Sequence, residues 1–301
     1  IMPSLVGSEM CIRDSPSGAD REHIDEGPNP LGLEGIEFIE YATSKPQALG
    51  QVLEAMGFRP IARHRSREVL LYRQGDVNVI VNAHGRGAAL TEKPEIAAIA
   101  LRVQDASAAY KRALERGAWA VPVQVEVMEL HIPAIHGVGN SRIYFVDRHR
   151  EFSIYDVDFT PVPAVDKFPP AITGLHFFGI VQYIGNDRVD DWTEFYGALF
   201  GFTALEPETR FGILPKGRIL QSPCKTFYLQ LIEPEPGVLD VEDDECFQRV
   251  GLGTPDVQAT VAALRQRGVE FVPSKDPAQD SKGALTRPTT VSYTHLTLPT
   301  S

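Results

Sequence analysis

Cysteine is scarce in this sequence: three residues in 301, Cys11, Cys224 and Cys246, with no Cys-x-x-Cys spacing. That excludes a disulfide framework and a thiolate metal site, and it fits a reducing, cytoplasmic compartment. Positive charge is short as well, with 29 Lys and Arg against 40 Asp and Glu and a formal net charge of −11. A nucleic-acid partner needs clustered Lys and Arg against phosphate, and the basic residues here are scattered, so that class is excluded. No apolar run approaches the roughly 20 residues of a membrane helix. Gly85-Arg86-Gly87 opens no helical pattern that would make a phosphate loop, and no Gly-x-Ser-x-Gly elbow supports a serine hydrolase. What is present, 43% hydrophobic and 23% charged residues, suits a soluble globular chain with two modest domains.

The chain is organised around a doubling. FQRVGLGTPDVQATVAALRQRGVEFVP at 247–273 reads as strand, helix, strand. An apolar run ends at Gly253, Thr254 and Pro255 offer a capping residue with proline in the first turn, and Val257, Val261 and Leu264 recur at helical spacing. Gly268 stops the helix as a C′ glycine would, and 269–273 resumes with period two. IAAIALRVQDASAAYKRALERGAWAVPV at 96–123 carries the same punctuation about 150 residues earlier, with Asp105 as the cap and Gly117 as the stop.

Residues 36–41 alternate as a strand, 46–56 form a short helix stopped by Gly57, and 68–73 with 77–81 form a hairpin around Gln74-Gly75-Asp76. Strands at 142–146 and 152–159 close the second unit. The Pro-rich 160–170 reads as a linker. The second half repeats the order, with a strand at 175–184, a helix at 190–199 stopped by Gly201, strands at 211–214 and 226–233, and an acidic loop at 235–245. The expected class is α+β: two domains of paired β-α-β-β-β units, at 29–160 and 171–287, joined by 161–170 and with the last unit incomplete. Residues 1–23 and 288–301 fall outside them. Within these ends, 1–15 and 291–301 resemble translated adapter read-through, so a native C-terminus beyond Arg287 is expected to be missing.

Four stretches narrow the reading: LGLEGIEFIEYA at 31–42, HRSREVLLYRQGDVNVIVN at 64–82, MELHIPAIHGVG at 128–139 and SIYDVDF at 153–159. They strongly resemble the N-terminal domain of bacterial 4-hydroxyphenylpyruvate dioxygenases, and DWTEFYGALFGF at 191–202 resembles the matching helix of the catalytic domain. The resemblance covers about 29–272 and implies the vicinal-oxygen-chelate (glyoxalase-like) fold, a cupped sheet whose first half is structural and whose second half carries the chemistry. It also implies Fe(II) held by two His and one Glu, with open positions for an aromatic 2-oxo acid and O₂, a cytoplasmic homo-oligomer, and a place in tyrosine catabolism.

His176 is the candidate for the first metal position. At the second, the family's Gln-His-Val appears as Gln248-Arg249-Val250, and a guanidinium offers no lone pair to a metal. The third ligand, Glu, would lie beyond Arg287. Arg249 then either binds the substrate carboxylate directly or is salt-bridged near Asp243-Asp244-Glu245. Tyr228, Gln230 and Ile232 share one face of their strand, as a substrate wall or as solvent-facing residues, with Ile232 where the family resembles an Asn. His131 and His136 flank Pro133 without a carboxylate at ligand spacing and read as structural. The resemblance thus implies a dioxygenase-type enzyme whose present chain, lacking a wall strand and its carboxylate, is inactive. A metal-free binding module, or a divergent lyase or dehydratase, is the competing reading.

Overall fold

The computed structural model describes residues 28–84, 90–122, 131–149, 152–206, 217–233 and 245–271. The first half runs β1 (Leu33–Ala42), α1 (Pro46–Ala55), β2 (Arg59–His64), β3 (Val69–Gln74), β4 (Val77–Asn82), β5 (Glu95–Val103), α2 (Ala106–Glu115), β6 (Ala134–His136), β7 (Arg142–Val146), the single turn α3 (Tyr155–Asp158) and β8 (Phe159–Pro161). After a 3-10 turn at Ile172–Gly174 come β9 (His176–Tyr183), α4 (Val189–Phe200), β10 (Thr203–Ala204), β11 (Arg218–Gln221), β12 (Tyr228–Ile232), β13 (Cys246–Gly253) and α5 (Val257–Gln266). Among the described residues the strands form two mixed sheets, β6-β7-β5-β1-β4-β3-β2-β8 and β10-β11-β12-β9-β13. No described helix is long and apolar enough to cross a membrane.

The doubling is literal. In each half the first strands of two successive units meet antiparallel, β1 with β5 and β9 with β13, while β1 runs parallel to β4 and β9 parallel to β12. Both antiparallel pairs carry an extra residue at the same place: Glu37 lies between the rungs Ile36–Leu101 and Phe38–Ala100, and Phe178 between Phe177–Leu252 and Gly179–Gly251. The units thus share irregularities as well as regular pairing, which is the mark of one architecture used repeatedly.

Helices α2 and α5 show why the repeated sequence folds the same way twice. The Asp105 carboxylate accepts from Ala108 N at 2.8 Å and the Asp256 carboxylate from Ala259 N at 2.9 Å, each satisfying a free N–H of the first turn. Asp256, rather than Thr254, is therefore the cap, with Pro255 just outside the helix; the Thr254 hydroxyl donates instead to Thr173 O. Gly117 and Gly268 end the two helices at φ of 93° and 87°, where a side chain would be strained.

The sheets pack against each other through the faces that carry α2 and α4. Ile99, Leu101 and Ile143 of the first sheet meet Ile180, Leu229 and Phe247 of the second around Tyr196 and Phe200. The other face of the first sheet is filled by its own chain, with Phe38, Ile61, Leu71 and Ile80 packed against Tyr155 and Phe159. The cup of the first half is thereby occupied.

β2 was not legible, because Arg59, Pro60, Arg63 and His64 break its apolar alternation. β6 and β11 were missed as well, and His136 lies in β6, where its N–H donates to Trp119 O. Residues 152–159 are not one strand. The Asp156 carboxylate accepts from both Ser153 N and Ser153 Oγ at 2.9 Å, which closes the helical turn α3 before the chain extends into β8. Near 118–122 only Ala120 bridges, to Ile135, and the described residues from Val269 to Phe271 belong to no strand. The segment read as a linker begins inside β8 and is fastened to the first half, with Gly75 N donating to Pro169 O and Arg73 Nη1 to Lys167 O. The terminal stretches 1–23 and 272–301, Gly85-Arg86-Gly87, the strand expected at 211–214, most of the acidic loop and the position of a third metal ligand lie outside the described residues.

Candidate functional site

Strand alternation sorts the second sheet into two faces. Leu229 and Leu231 of β12 and Ile180 of β9 join the core under α4, and Gln182 turns the same way, accepting from the Tyr196 hydroxyl at 2.7 Å. Tyr228, Gln230 and Ile232 must then point to the opposite face, with Gly179, Val181 and Tyr183 of β9 beside them. On the antiparallel side, Phe247 belongs to the core, and a register shift between Phe247 and Arg249 turns Arg249 outward opposite Val181. Gln230 is 4% exposed and Tyr228 is half-buried, so neither simply faces solvent.

Arg249 is the charged group of this face. Its Nη2 donates to the Tyr183 hydroxyl oxygen at 2.6 Å, and its guanidinium lies 5.7 Å from the Tyr183 ring centroid. Its Nε is buried and meets no acceptor among the described residues. A buried donor left unpaired costs about 1–3 kcal/mol. Of the acidic candidates for pairing it, Glu245 is committed elsewhere: its carboxylate accepts from Gly185 N and Trp192 Nε1 and pairs with Arg188. Asp243 and Asp244 lie outside the described residues.

Next to the Arg249–Val181 rung, β9 and β13 meet at Gly179 and Gly251. A Cβ at Gly179 would come within 2.9 Å of the Tyr228 carbonyl oxygen, so no side chain fits there without moving β12. At this rung neither strand carries a side chain between Arg249 and the aromatic pair Phe178 and Tyr228, whose rings lie 5.0 Å apart. Glycine inside a strand is a common sign of close approach by another group.

His176 stands at the far end. It is exposed, pairs across to Gly253, and its Nδ1 is 3.1 Å from Gly174 O. Along β9 it is five residues from the rung of Arg249, on the order of 15 Å at strand rise. Metal–nitrogen bonds of about 2 Å cannot bridge that span. The structure therefore does not bring His176 and Arg249 to one point, and among the described residues no three His, Cys, Asp or Glu side chains converge as metal ligands. One exposed imidazole, a guanidinium without a lone pair and a bare glycine on the facing strand do not make the donor set that Fe(II) requires.

The first half offers an internal contrast. There the bulge residue Glu37, 2% exposed, accepts from Arg102 Nε, from Asn78 Nδ2 at 3.2 Å and from the Tyr155 hydroxyl at 2.9 Å, while Arg73 donates to Asn78. Buried charge is answered by buried charge within the chain. In the second half the bulge residue is Phe178, and the half-buried Arg249 has no such counter-ion among the described residues. Tyr183 and the Gly179–Gly251 rung went unnoticed in the sequence, since nothing in the local pattern links residues 66 positions apart.

Comparison with known proteins follows the same lines. A family model described as the N-terminal domain of hydroxyphenylpyruvate dioxygenase, HPPD, matches residues 28–160. "Hemolysin VllY" of Vibrio vulnificus is 34% identical over 269 residues, covering 84% of this chain and 75% of that protein. The 4-hydroxyphenylpyruvate dioxygenase of Pseudomonas aeruginosa is 32% identical over 265 residues, covering 82% of this chain and 74% of that one. Among solved structures, a xylose isomerase-like TIM barrel/4-hydroxyphenylpyruvate dioxygenase fusion protein aligns with a TM-score of 0.65 and 29% identity, over 80% of this chain and 40% of its own.

Proposed function

The chain belongs to the 4-hydroxyphenylpyruvate dioxygenase family, and from that membership we propose that it recognises an aromatic 2-oxo acid on the face of β9, β12 and β13 that turns away from α4. The observation that carries this reading is the register of those strands, which gathers Tyr228, Gln230, Tyr183 and Arg249 on one face around a bare glycine rung. Phe178 and Tyr228 form an aromatic wall, and Gln230 lies buried beside them. Ile232 at the edge of the same face supplies apolar contact.

The family chemistry is oxygenation of such an acid with Fe(II) and O₂. The donors present among the described residues do not fit that metal, so the role given to this chain's own side chains is recognition: they orient the acid and shield its ring from water. The reading is tested by titration calorimetry with 4-hydroxyphenylpyruvate, together with oxygen uptake in the presence of added Fe(II). Saturable binding weakened several-fold by Gln230→Ala is expected. If the protein gives neither heat nor oxygen uptake with this acid, the activity goes and only the fold remains.

A further inference from the structure

The geometry points to an iron-independent carboxylate site at Arg249 and Tyr183, which holds the ligand's acid group where the family resemblance puts a metal-bound imidazole. It rests on the aromatic 2-oxo acid reading above and adds to it the means of anchoring. Three observations carry it. Arg249 is half-buried, and its Nε faces no acceptor among the described residues while Nη2 is held by Tyr183. That contact fixes one edge of a planar group suited to pairing with a carboxylate.

The neighbouring Gly179–Gly251 rung puts no side chain of these two strands between Arg249 and Tyr228. From the Val181–Arg249 rung to the Gly179–Tyr228 rung is two residues of β9, about 7 Å. That span matches the length of an arylpyruvate with its carboxylate at the guanidinium and its ring towards Tyr228. Finally, the buried Glu37 of the first half is paired with Arg102, whereas Arg249 Nε meets no acceptor among the described residues, so the unmet donor belongs to the second half and not to the fold.

The experiment uses the full chain freed of metal by EDTA and dialysis, titrated anaerobically with 4-hydroxyphenylpyruvate and with 4-hydroxyphenylacetone, which keeps the ring and keto oxygen but has no carboxylate. The keto acid is expected to bind with the same affinity before and after Fe(II) is added. Arg249→Gln should weaken it by about ten- to a hundredfold, and Tyr183→Phe by a smaller factor. The acetone should bind weakly and respond to neither change. Should Arg249→Gln fail to fold by circular dichroism, Tyr183→Phe and the paired ligands decide the matter on folded protein. Binding that requires Fe(II), or that survives Arg249→Gln unchanged, overturns the carboxylate site while leaving the aromatic 2-oxo acid reading intact. Absence of binding with and without Fe(II) removes both.

Discussion

Glu37 is the residue on which the interior of the first half turns, because a carboxylate buried this deeply persists only if each lone pair is met. Tyr155 supplies one of those donors, and its phenol is held well above the ordinary value by burial and then by the Glu37 charge. Tyr41 and Tyr196 are raised too, both mainly by burial. A phenol whose folded pKa exceeds its unfolded value near 10.0 keeps its proton in the fold after the unfolded chain has begun to lose it. Stability is then fully present below about pH 10 and falls as the pH rises beyond it. Urea unfolding at pH 8 and at pH 10.5 should show that loss. Tyr155→Phe should lower stability at pH 8 by about 1–3 kcal/mol and make the loss at high pH smaller. A pH slope unchanged in that variant would mean that other tyrosines carry it. At this scale alternation makes the shared face of Tyr228 and Gln230 legible, whereas Arg249 stands out only by resemblance to the family's Gln-His-Val and reaches that face through the register shift after Phe247. The sequence hid Tyr183 and Gly179, because their roles come from neighbours on other strands.

The elements repeat more faithfully than any single residue suggests. Glu115-Arg116-Gly117 and Gln266-Arg267-Gly268 end α2 and α5, and in both the arginine reaches across to the end of a helix in the opposite half. Arg116 Nη1 donates to Ala198 O of α4, and Arg267 donates through Nε to Ala55 O and through Nη2 to Glu54 O of α1, both at 2.8 Å. A cation at the carbonyl end of a helix answers both the unpaired oxygens and the macrodipole. Both arginines are exposed, so Arg116→Ala and Arg267→Ala should each cost only about 0.3–1 kcal/mol. Denaturant midpoints of the two single variants and of the double variant check this, and near-additive losses are expected for sites so far apart. Asp105→Ala and Asp256→Ala, which remove the helix caps, should cost about 1 kcal/mol each by the same measurement. These helices were readable because their signals are local: a cap, an apolar period and a stop. β2, β6 and β11 were not, since short strands rich in charge or proline are specified by the sheet that receives them.

Considered whole, the molecule is two repeated halves with a common core, and that arrangement decides how it should unfold. Ile99, Leu101 and Ile143 from the first half and Ile180, Leu229 and Phe247 from the second enclose the same Tyr196 and Phe200 side chains. Neither sheet can lose its fold without exposing the apolar face of the other, and the two crossed arginine contacts add to the same coupling. One transition is therefore expected for β1 to β7 and for β9 to β13 when hydrogen exchange is followed segment by segment in rising urea. Phe200 is fully buried at the centre of this core. Phe200→Ala should cost about 3–5 kcal/mol and move the midpoints of both halves together, although the residue belongs to the second. If segments of the first half keep their original midpoint while those of the second shift, the shared core does not bind the halves into one cooperative unit.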